Sequence, residues 1–509
     1  MTKQSLMKGT IILTTAALIT KILGFANSII MAKLIGPEGV GLIMMALPIT
    51  GLLITLTTLG LPVAISKLVA EAEVNNDYKK IKKILIVSLC TTSFLGVFIM
   101  LGSLIGAKYL ASIFLTDERA LYPMLAVIPI IPIIAVSSVI KGYFRGKQNM
   151  TPLALSQIIE QIVRITSIVL LVKWLLPYGV EMAAAGVVIC GIIGEGVSLL
   201  YLLSVFKWYK RKKIIFYQSV HKHFGKGKQI LFDLLQTGVP TTGNGLLHSI
   251  IGVFQPFLIT NCLIIAGVGT ALATKQFGIL MGFVFPLLML PGFITHSLAV
   301  PLIPAISEAN EKFQLSLIQT RIQQAIRIAL IVGVPCTVIL YMFSHELTTV
   351  IYNSPEAAIL LKIMAPFYFL QYFRIPLQSV LIGLGKANIV FINDLIASLF
   401  KLGVIFMLAT QSTMGIIGVC LAFSASVVLG TSLHFVSIHK AIGVIIKLKD
   451  FIKVATAGIF LGFAAFYSYD ILHSFQLTKV ILLSISCTIS MFIYMFLLRV
   501  FNILPLQQK

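Results

Sequence analysis

The sequence contains few charged residues, and acids are the scarcest of them. Asp and Glu together number 17 in a chain of 509 residues, and all charged residues make up 11% of it. Hydrophobic residues account for 58%, and the mean hydropathy is +1.01. A soluble protein of this length would expose far more polar surface, so this composition indicates a chain whose solvent is the lipid bilayer.

The short motifs of soluble enzymes are also missing. The sequence has no P-loop, which excludes a self-contained ATP-driven pump, and it has no HExxH or GxSxG motif. Its six cysteines are scattered singly, and no two have CxxC or metal-ligand spacing. We therefore predict a protein that is not an enzyme and that has no cofactor, metal site or disulfide.

Apolar stretches of about 20 residues recur along the whole chain, and fourteen of them are predicted to cross the membrane as helices. The predicted fold class is an all-α, polytopic membrane protein. The net charge of +22 lies mainly in short loops on one side of these spans, including a predicted loop at residues 141–150 that contains Lys141. Such an excess marks the cytoplasmic side, so both termini are predicted to be cytoplasmic and no nucleic-acid site is inferred.

Residues 20–73 contain two apolar spans joined by a tight Gly-Pro-Glu-Gly connection. Lys21 lies inside the first span, and Pro48 and Pro62 are predicted to break the second. A charge within a span is unfavourable in lipid, and a proline leaves a carbonyl that needs another donor, so both features indicate helices that face protein or water. The alternative is that Lys21 extends to the membrane surface and that the prolines are tolerated kinks.

Two parts of the chain resemble each other in the same order. Residues 41–73 resemble residues 278–311, with interior prolines and a polar end, and residues 138–149 resemble residues 379–388. Six spans separate the matching parts, so two parallel six-helix repeats are predicted. The predicted domains are an amino-terminal lobe, a basic cytoplasmic linker, a carboxyl-terminal lobe and two additional helices, at residues 1–206, 207–230, 231–440 and 441–509.

Polar side chains recur at three- and four-residue spacing in the fifth span of each half, which places them on one helical face. This stripe consists of Gln157, Glu160, Gln161 and Arg164 in the first half and of Asp394, Ser398 and Lys401 in the second. Glu160 and Arg164 are one turn apart and are expected to pair. The stripe points to the bundle interior, either as a buried pair that joins helices or as a cavity wall that holds an anionic head group.

Other polar residues lie in further spans. The seventh span contains Asn244 and His248 among glycines and threonines, which favours a helix that lines a water-filled cavity or forms a flexible gate. Arg374 is a further cation within a span, and only three acids accompany the cations, so a net basic interior is predicted. A lone histidine such as His248 or His434 is more often a hydrogen-bonded interior residue than a proton relay.

The segments KGTIILTTAALITKILGF, AKLIGPEGVGLIMMALPI and GLPVAISKLVAEAE resemble the stage V sporulation protein B family, and the resemblance covers essentially the whole chain. That family belongs to the polysaccharide-transporter branch of the multidrug/oligosaccharidyl-lipid/polysaccharide exporter superfamily. The resemblance implies a V-shaped bundle of two six-helix lobes with two extra carboxyl-terminal helices. It also implies a role in building spore cortex peptidoglycan by moving a lipid-linked precursor across the membrane.

The same superfamily includes the lipid II flippase of growing cells, whose first span has an SRVLGFxRD-like motif with cavity-lining cations. TKILGFANS stands in that place here, so Lys21 matches the first arginine, Asn27 the second, and Ser28 the aspartate. A basic pair in the second span of that flippase falls at Leu52 and Leu53. The resemblance therefore implies that one cavity cation is retained and that other cations complete the site.

The leading hypothesis is a flippase for a lipid-linked saccharide, because a pyrophosphate needs several cations in a low-dielectric cavity. The predicted partners are an anionic precursor of the undecaprenyl-pyrophosphate type, membrane lipids and a coupling ion, with no nucleic acid. Two alternatives stay open: a multidrug or organic-cation antiporter, which needs a titratable acidic cavity, and a scaffold that recruits cortex-building enzymes. The candidate cavity residues are Lys21, Asn27, Gln157, Glu160, Gln161, Arg164, Asn244, His248, Arg374, Asp394 and Lys401.

Overall fold

The computed structural model describes residues 6–212, 227–443, 448–475 and 478–503. Within these ranges every regular element is a helix, so the predicted all-α class is confirmed. The helices fall into two compact units, which are described separately below. The predicted basic linker lies largely outside the described residues.

Unit 1 comprises Met1–Asn261 and Gly269–Gly278. Apart from two single-turn 3-10 segments, its helices are α1 (Leu6–Thr58), α2 (Leu61–Val74), α3 (Tyr78–Ile105), α4 (Ala107–Phe114), α5 (Leu121–Val127), α6 (Ile130–Gly146), α7 (Thr151–Leu175), α8 (Val180–Lys212), α9 (Gly227–Ile265) and α10 (Thr270–Gly278). The last residues of α9, from Cys262 onwards, group with unit 2.

The first two predicted spans form one long element, α1, with a break at Gly36. Gly36 has φ 69° and ψ 180°, a conformation that is unfavourable for a residue with a side chain. Pro37 follows, and its fixed φ suits the first turn of the helical segment that begins there. The Gly-Pro-Glu-Gly connection predicted from the sequence is therefore a sharp break between two helical segments.

The predicted break at Pro48 is wrong. The helix continues through Pro48 to Thr58, because a single lost backbone hydrogen bond is tolerated within a packed membrane helix. The chain breaks instead at Leu59 and Gly60, where φ is 42° and 65°. Pro62 then lies in the first turn of α2, a position at which a proline removes no intrahelical hydrogen bond.

The predicted loop at residues 141–150 is also wrong in its first half. Helix α6 extends to Gly146, so Lys141 lies on a helix and not in a loop. A Cβ atom on Gly142 would lie 3.0 Å from the carbonyl oxygen of Pro62, and Gly146 is similarly close to Ser66. This close packing of α6 against α2 holds the end of α6 in helical conformation, although its sequence is polar.

Helices α1 and α10 also approach each other at backbone distance. A Cβ atom on Gly41 would collide with the carbonyl oxygen of Thr274, and one on Gly278 would collide with the carbonyl oxygen of Pro37. Small residues at such crossings let two helices in a membrane come into close contact. The two glycines therefore attach α10 tightly to the second segment of α1.

Unit 2 comprises Cys262–Val268 and Ile279–Lys509. After a short π-helix at Ile279–Val284, its helices are α11 (Phe285–Met289), α12 (Gly292–Glu311), α13 (Leu315–Met342), α14 (Ser344–Tyr352), α15 (Ala357–Tyr368), α16 (Gln371–Gly383), α17 (Ala387–Ala409), α18 (Gly415–Ile442), α19 (Leu448–His473) and α20 (Lys479–Val500).

The two carboxyl-terminal helices, α19 and α20, are integral to the core of unit 2. Leu461 of α19 and Tyr494 of α20 are fully buried in one apolar cluster with Ile322 and Leu330 of α13. The Tyr494 hydroxyl donates a hydrogen bond to the carbonyl oxygen of Ile331 over 3.0 Å. A buried tyrosine whose hydroxyl is satisfied in this way fixes α20 against α13.

The described residues include twelve helices that are long and apolar enough to cross a membrane, or thirteen when the bent pair Glu118–Val127 and Ile130–Gly146 counts as one span. One of the twelve, Ile12–Val74, has 63 residues, far more than the roughly 20 that one crossing needs. The chain is therefore a multi-pass integral membrane protein. The count of fourteen spans and the two parallel repeats stay predictions.

Candidate substrate-binding site

Four charged side chains form a connected network in unit 1. Lys141 of α6 donates a hydrogen bond to Glu195 of α8, with 3.0 Å between Nζ and Oε1. On α7, Arg164 donates from Nη2 to Oε1 of Glu160 over 2.7 Å. Glu160 and Glu195 lie close enough to interact electrostatically, and this interaction connects the two pairs. The predicted Glu160–Arg164 pair is thus confirmed, and it belongs to a larger network of two cations and two acids.

Close packing of α7 on α8 positions this network. A Cβ atom on Gly194 would lie 2.8 Å from the carbonyl oxygen of Glu160, so only a glycine permits this crossing. The Arg164 guanidinium lies over Gly191, where a Cβ atom would be 3.7 Å from Nε. Two glycines of α8 therefore bring Glu195 to the charged groups of α7.

A second network lies in unit 2 and is centred on Asp394 of α17. Its Oδ1 accepts hydrogen bonds from Arg374 Nη2 over 2.7 Å and from Gln378 Nε2 over 3.0 Å, both on α16. His434 of α18 approaches the same oxygen with Nε2 at 3.0 Å, and Gln378 also reaches Oδ2 over 3.0 Å. Three donors therefore converge on one carboxylate oxygen, which is the geometry in which a protein binds an anionic oxygen.

The other ring nitrogen of His434, Nδ1, contacts a side chain that fixes the orientation of the imidazole. Asn393 places Nδ2 at 3.3 Å from His434 Nδ1 and donates another hydrogen bond to the Ser437 hydroxyl over 3.1 Å. Because Asn393 donates, Nδ1 accepts, and the hydrogen of a neutral imidazole is on Nε2, where it points to Asp394. His434 is therefore a fully buried, hydrogen-bonded interior residue, as the sequence indicated.

The two networks share an architectural feature. The Arg374 guanidinium lies over Gly430 of α18, where a Cβ atom would be 3.4 Å from Cζ, much as Arg164 lies over Gly191 of α8. Four residues after the glycine, α8 has Glu195 and α18 has His434. The acid that pairs with the arginine thus has a second acid, Glu195, as its neighbour in unit 1, whereas in unit 2 its neighbour is a histidine, His434.

Lys401 occupies a different place from the one that the sequence pattern indicates. The spacing likens it to Arg164, but the acid of its own helix, Asp394, pairs with Arg374 of α16. Lys401 Nζ lies instead over the ring of Phe423 on α18, 4.8 Å from its centroid, a cation–π contact. The predicted net basic interior therefore consists largely of cations that already have partners.

The remaining candidates lie apart from these two networks. Lys21, Gln157 and His248 are exposed, on α1, α7 and α9. Asn27 and Gln161 each have a side-chain oxygen that is buried without a hydrogen-bond partner among the described residues. The side chain of Asn244 lies outside the described residues. The role of all these residues in substrate binding stays a prediction.

Sequence reasoning missed three members of the networks. Lys141 was placed in a loop, and Gln378 and Asn393 were not singled out. The spacing of Gln378 from Arg374, one helical turn, matches that of Glu160 and Arg164 and was the one available signal. No spacing indicates the Lys141–Glu195 contact, because 54 residues separate its partners and only the packing of α6 against α8 joins them.

A further charged cluster of unit 1 is centred on Asp117, in the connection that precedes α5. Arg119 donates to Asp117 over 2.8 Å and to Glu38, in the Gly-Pro-Glu-Gly connection, over 2.7 Å. The Thr274 hydroxyl of α10 donates to Asp117 Oδ2 over 2.8 Å. Burial alone would raise the pKa of Asp117, but the hydrogen bonds from Arg119 and Thr274 outweigh it and lower that pKa.

Comparison with known proteins gives a consistent result. The family model described as "Polysaccharide biosynthesis protein" matches residues 6–310, and the MatE model matches residues 280–407. Stage V sporulation protein B of Bacillus subtilis (strain 168) is 44% identical over 510 residues, which cover 99% of this chain and 97% of that protein. Lipid II flippase MurJ of the same organism is 25% identical over 451 residues, which cover 84% of this chain and 81% of that protein.

Among solved structures, one described as "Lipid II flippase MurJ, inward closed conformation" has a TM-score of 0.70 at 17% identity and covers 97% of this chain and 99% of its own. The spans and this likeness show that the chain is a multi-pass membrane protein with a MurJ-like fold. The chain belongs to the polysaccharide biosynthesis protein family and, within it, to the stage V sporulation protein B family.

Proposed function

We propose that this protein is a flippase that moves a lipid-linked saccharide, a peptidoglycan precursor for spore cortex synthesis, across the cell membrane of the sporulating cell. The observation that carries this proposal is the 44% identity with stage V sporulation protein B over 99% of the chain. The similarity to a protein named lipid II flippase over 84% of the chain supports the same class of substrate. Both termini are cytoplasmic in this proposal.

The charged networks suit an anionic head group. A precursor of the undecaprenyl-pyrophosphate type carries its negative charge on phosphate oxygens, and guanidinium groups bind such oxygens with paired, charge-assisted hydrogen bonds. Arg164 and Arg374 are cations of this kind within spans, and each is held by an acid at 2.7 Å. These acids neutralise the two arginines, which keeps the charges stable in a low-dielectric environment.

Transport proceeds by alternating access, with the head group exposed first to the cytoplasm and then to the outside. The isoprenoid tail stays in lipid along α19 and α20. These helices present large apolar side chains, among them Phe460, Phe463, Phe492 and Phe496, each more than half exposed. An ion gradient, the membrane potential or the substrate gradient supplies the energy.

The test is flipping of a fluorescent lipid-linked peptidoglycan precursor in proteoliposomes. We expect the wild-type protein to flip it and the Lys21→Ala and Arg374→Gln variants to do so at least about tenfold more slowly, because each removes a cation that binds an anion. Lys312→Ala is the matched control, since Lys312 is exposed and its salt-bridge partner among the described residues is Glu308, four positions earlier. Absence of flipping by folded wild-type protein, or equal rates in all variants, would contradict the proposal.

A second candidate function is that of an organic-cation antiporter. The match of the MatE model to residues 280–407 favours it. In that case the acid Asp394 would bind the cation, and Asp394→Asn would abolish efflux of ethidium from loaded proteoliposomes. A flippase for an anionic lipid shows no such efflux. A scaffold for cortex-building enzymes would instead lose function on changes in the 207–230 segment and would be insensitive to Lys21→Ala and Arg374→Gln.

A further inference from the structure

We propose that the two arginines have different tasks. Arg374 is the cation that leaves its own acid to bind an anionic oxygen of the substrate, and His434 is a positioning residue that keeps Asp394 hydrogen-bonded during this exchange. Arg164, in contrast, stays with Glu160 and maintains the structure of unit 1. This inference rests on the proposed function, because it requires an anionic substrate.

The partners of Asp394 differ in their exposure. The Arg374 side chain is 18% exposed and that of Asp394 is 14% exposed, whereas His434 is completely buried. The Arg374 side chain is therefore accessible to an incoming anion, whereas the His434 imidazole is not. Asp394 is thus bonded to one accessible donor, Arg374, and to one inaccessible donor, His434. A substrate can therefore bind Arg374.

Asp394 keeps two donors when Arg374 turns to an anion. His434 Nε2 stays at Oδ1, and Gln378 Nε2 reaches both carboxylate oxygens over 3.0 Å. A buried carboxylate without hydrogen bonds is strongly unfavourable, and these two donors prevent that state. His434 is itself held in place through Nδ1 by Asn393, so it is oriented for this task before the exchange begins.

In the network of unit 1, the described residues offer Glu160 no second donor comparable to His434 or Gln378. Glu160 lies beside a second acid, Glu195, at the position where unit 2 has His434. If Arg164 left Glu160, two neighbouring acids would have Lys141 as their one charged partner in this network. Like charges at this distance repel in a low-dielectric interior, so Arg164 is held where it is.

The first experiment measures binding of undecaprenyl pyrophosphate to the purified full-length protein in nanodiscs by native mass spectrometry. We expect Arg374→Gln to weaken binding at least about tenfold, the effect of losing a charge-assisted hydrogen bond. Arg164→Gln should leave affinity within about twofold and lower the thermal unfolding temperature. The reverse result, with binding lost in Arg164→Gln and kept in Arg374→Gln, would overturn the inference.

The second experiment tests His434 through Asp394. Without the imidazole, Asp394 holds Arg374 more tightly, so His434→Ala should weaken binding several-fold, whereas His434→Gln, which keeps a donor, should bind nearly as the wild type does. Adding Asp394→Asn removes the competing acid, and the His434→Ala/Asp394→Asn double variant should recover binding. A merely structural histidine would show no such rescue, so a double variant as weak as His434→Ala would overturn the inference.

The two proposals fail in different ways. If the folded wild-type protein binds undecaprenyl pyrophosphate in none of these measurements, the proposed function fails for this head group and the inference fails with it. If the wild type binds and Arg374→Gln binds equally well, the inference alone fails and the flippase proposal stands. His439→Gln is the control on α18, because His439 is exposed and lies more than one turn beyond His434.

Discussion

The hydroxyl of Thr274 donates a hydrogen bond to Asp117 over 2.8 Å, although 157 residues separate them in the chain. This bond attaches α10 to the connection that precedes α5, and Arg119 extends the contact from Asp117 to Glu38. The cluster therefore joins three distant parts of unit 1 through one buried acid. The carbonyl oxygen of Thr274 also makes the close approach to Gly41 of α1, so both features hold α10 at the same residue.

Removing this hydrogen bond should destabilise unit 1. We expect Thr274→Val, which keeps the shape of the side chain, to lower the free energy of unfolding by about 1–3 kcal/mol, because a buried charged acceptor loses a donor. Thermal unfolding in detergent would measure it. Thr456→Val is the control, since the Thr456 hydroxyl donates to the carbonyl oxygen of Ile452 in its own helix and has no other partner in the described part of the chain. Equal losses in the two variants would contradict this role of Thr274.

The lowered pKa of Asp117 predicts a pH dependence of stability. An acid whose pKa is lower in the folded than in the unfolded protein stabilises the fold above its unfolded pKa, about 4, and this contribution is lost as pH falls through the folded value. The stability difference between the wild type and Asp117→Asn should therefore be constant from pH 7 to pH 5 and shrink below about pH 4. A difference that grows on acidification would refute the assignment.

The contact of α1 with α10 predicts opposite effects for two glycines of the same helix. Gly41→Ala should destabilise the protein by about 1–3 kcal/mol, because its Cβ atom would collide with the backbone of Thr274. Gly51→Ala should be neutral or stabilising by up to about 1 kcal/mol, since nothing lies within 4 Å of that position. Thermal unfolding of both variants tests this, and a well-tolerated Gly41→Ala would show that the helices are not held this closely.

The network of unit 1 predicts strong coupling between Glu160 and Arg164. Each of Glu160→Gln and Arg164→Gln should lower the free energy of unfolding by about 1–3 kcal/mol, because each leaves a partly buried charge without its partner. The double variant should lose less than the sum of the single losses, by about 1 kcal/mol or more. Additive losses in this double-mutant cycle would indicate that the two side chains act independently.

The proposed orientation predicts which connections are accessible from outside the cell. In a cysteine-free background, Tyr178→Cys, between α7 and α8, should react with a membrane-impermeant maleimide on intact cells. Asn75→Cys, after α2, should react only after the membrane is permeabilised, because the proposed orientation places the basic connections in the cytoplasm. Both positions are exposed. The opposite labelling pattern would invert the topology.

The sequence predicted contacts within a helix better than contacts between helices. The pairing of Glu160 with Arg164 follows from a spacing of four residues, which places two side chains on the same face whatever the rest of the chain does. The partners of Lys141 and Asp394 could not be predicted in this way. Each partner lies on a neighbouring helix. By analogy with Arg164, the spacing indicated Lys401 as the cation near Asp394, but Arg374 is the cation that binds this acid.

Local composition was enough to establish a polytopic membrane protein, because the preference of a side chain for lipid or water is a property of each residue and adds up along a span. Specific sequence segments indicated the family. The sequence also contains Gly191 and Gly430, but their structural role depends on which helices cross at these positions. Close crossings at these glycines bring Glu195 to Glu160 and His434 to Asp394. The arrangement of charge within the membrane was therefore decided by helix packing, which involves the whole chain at once.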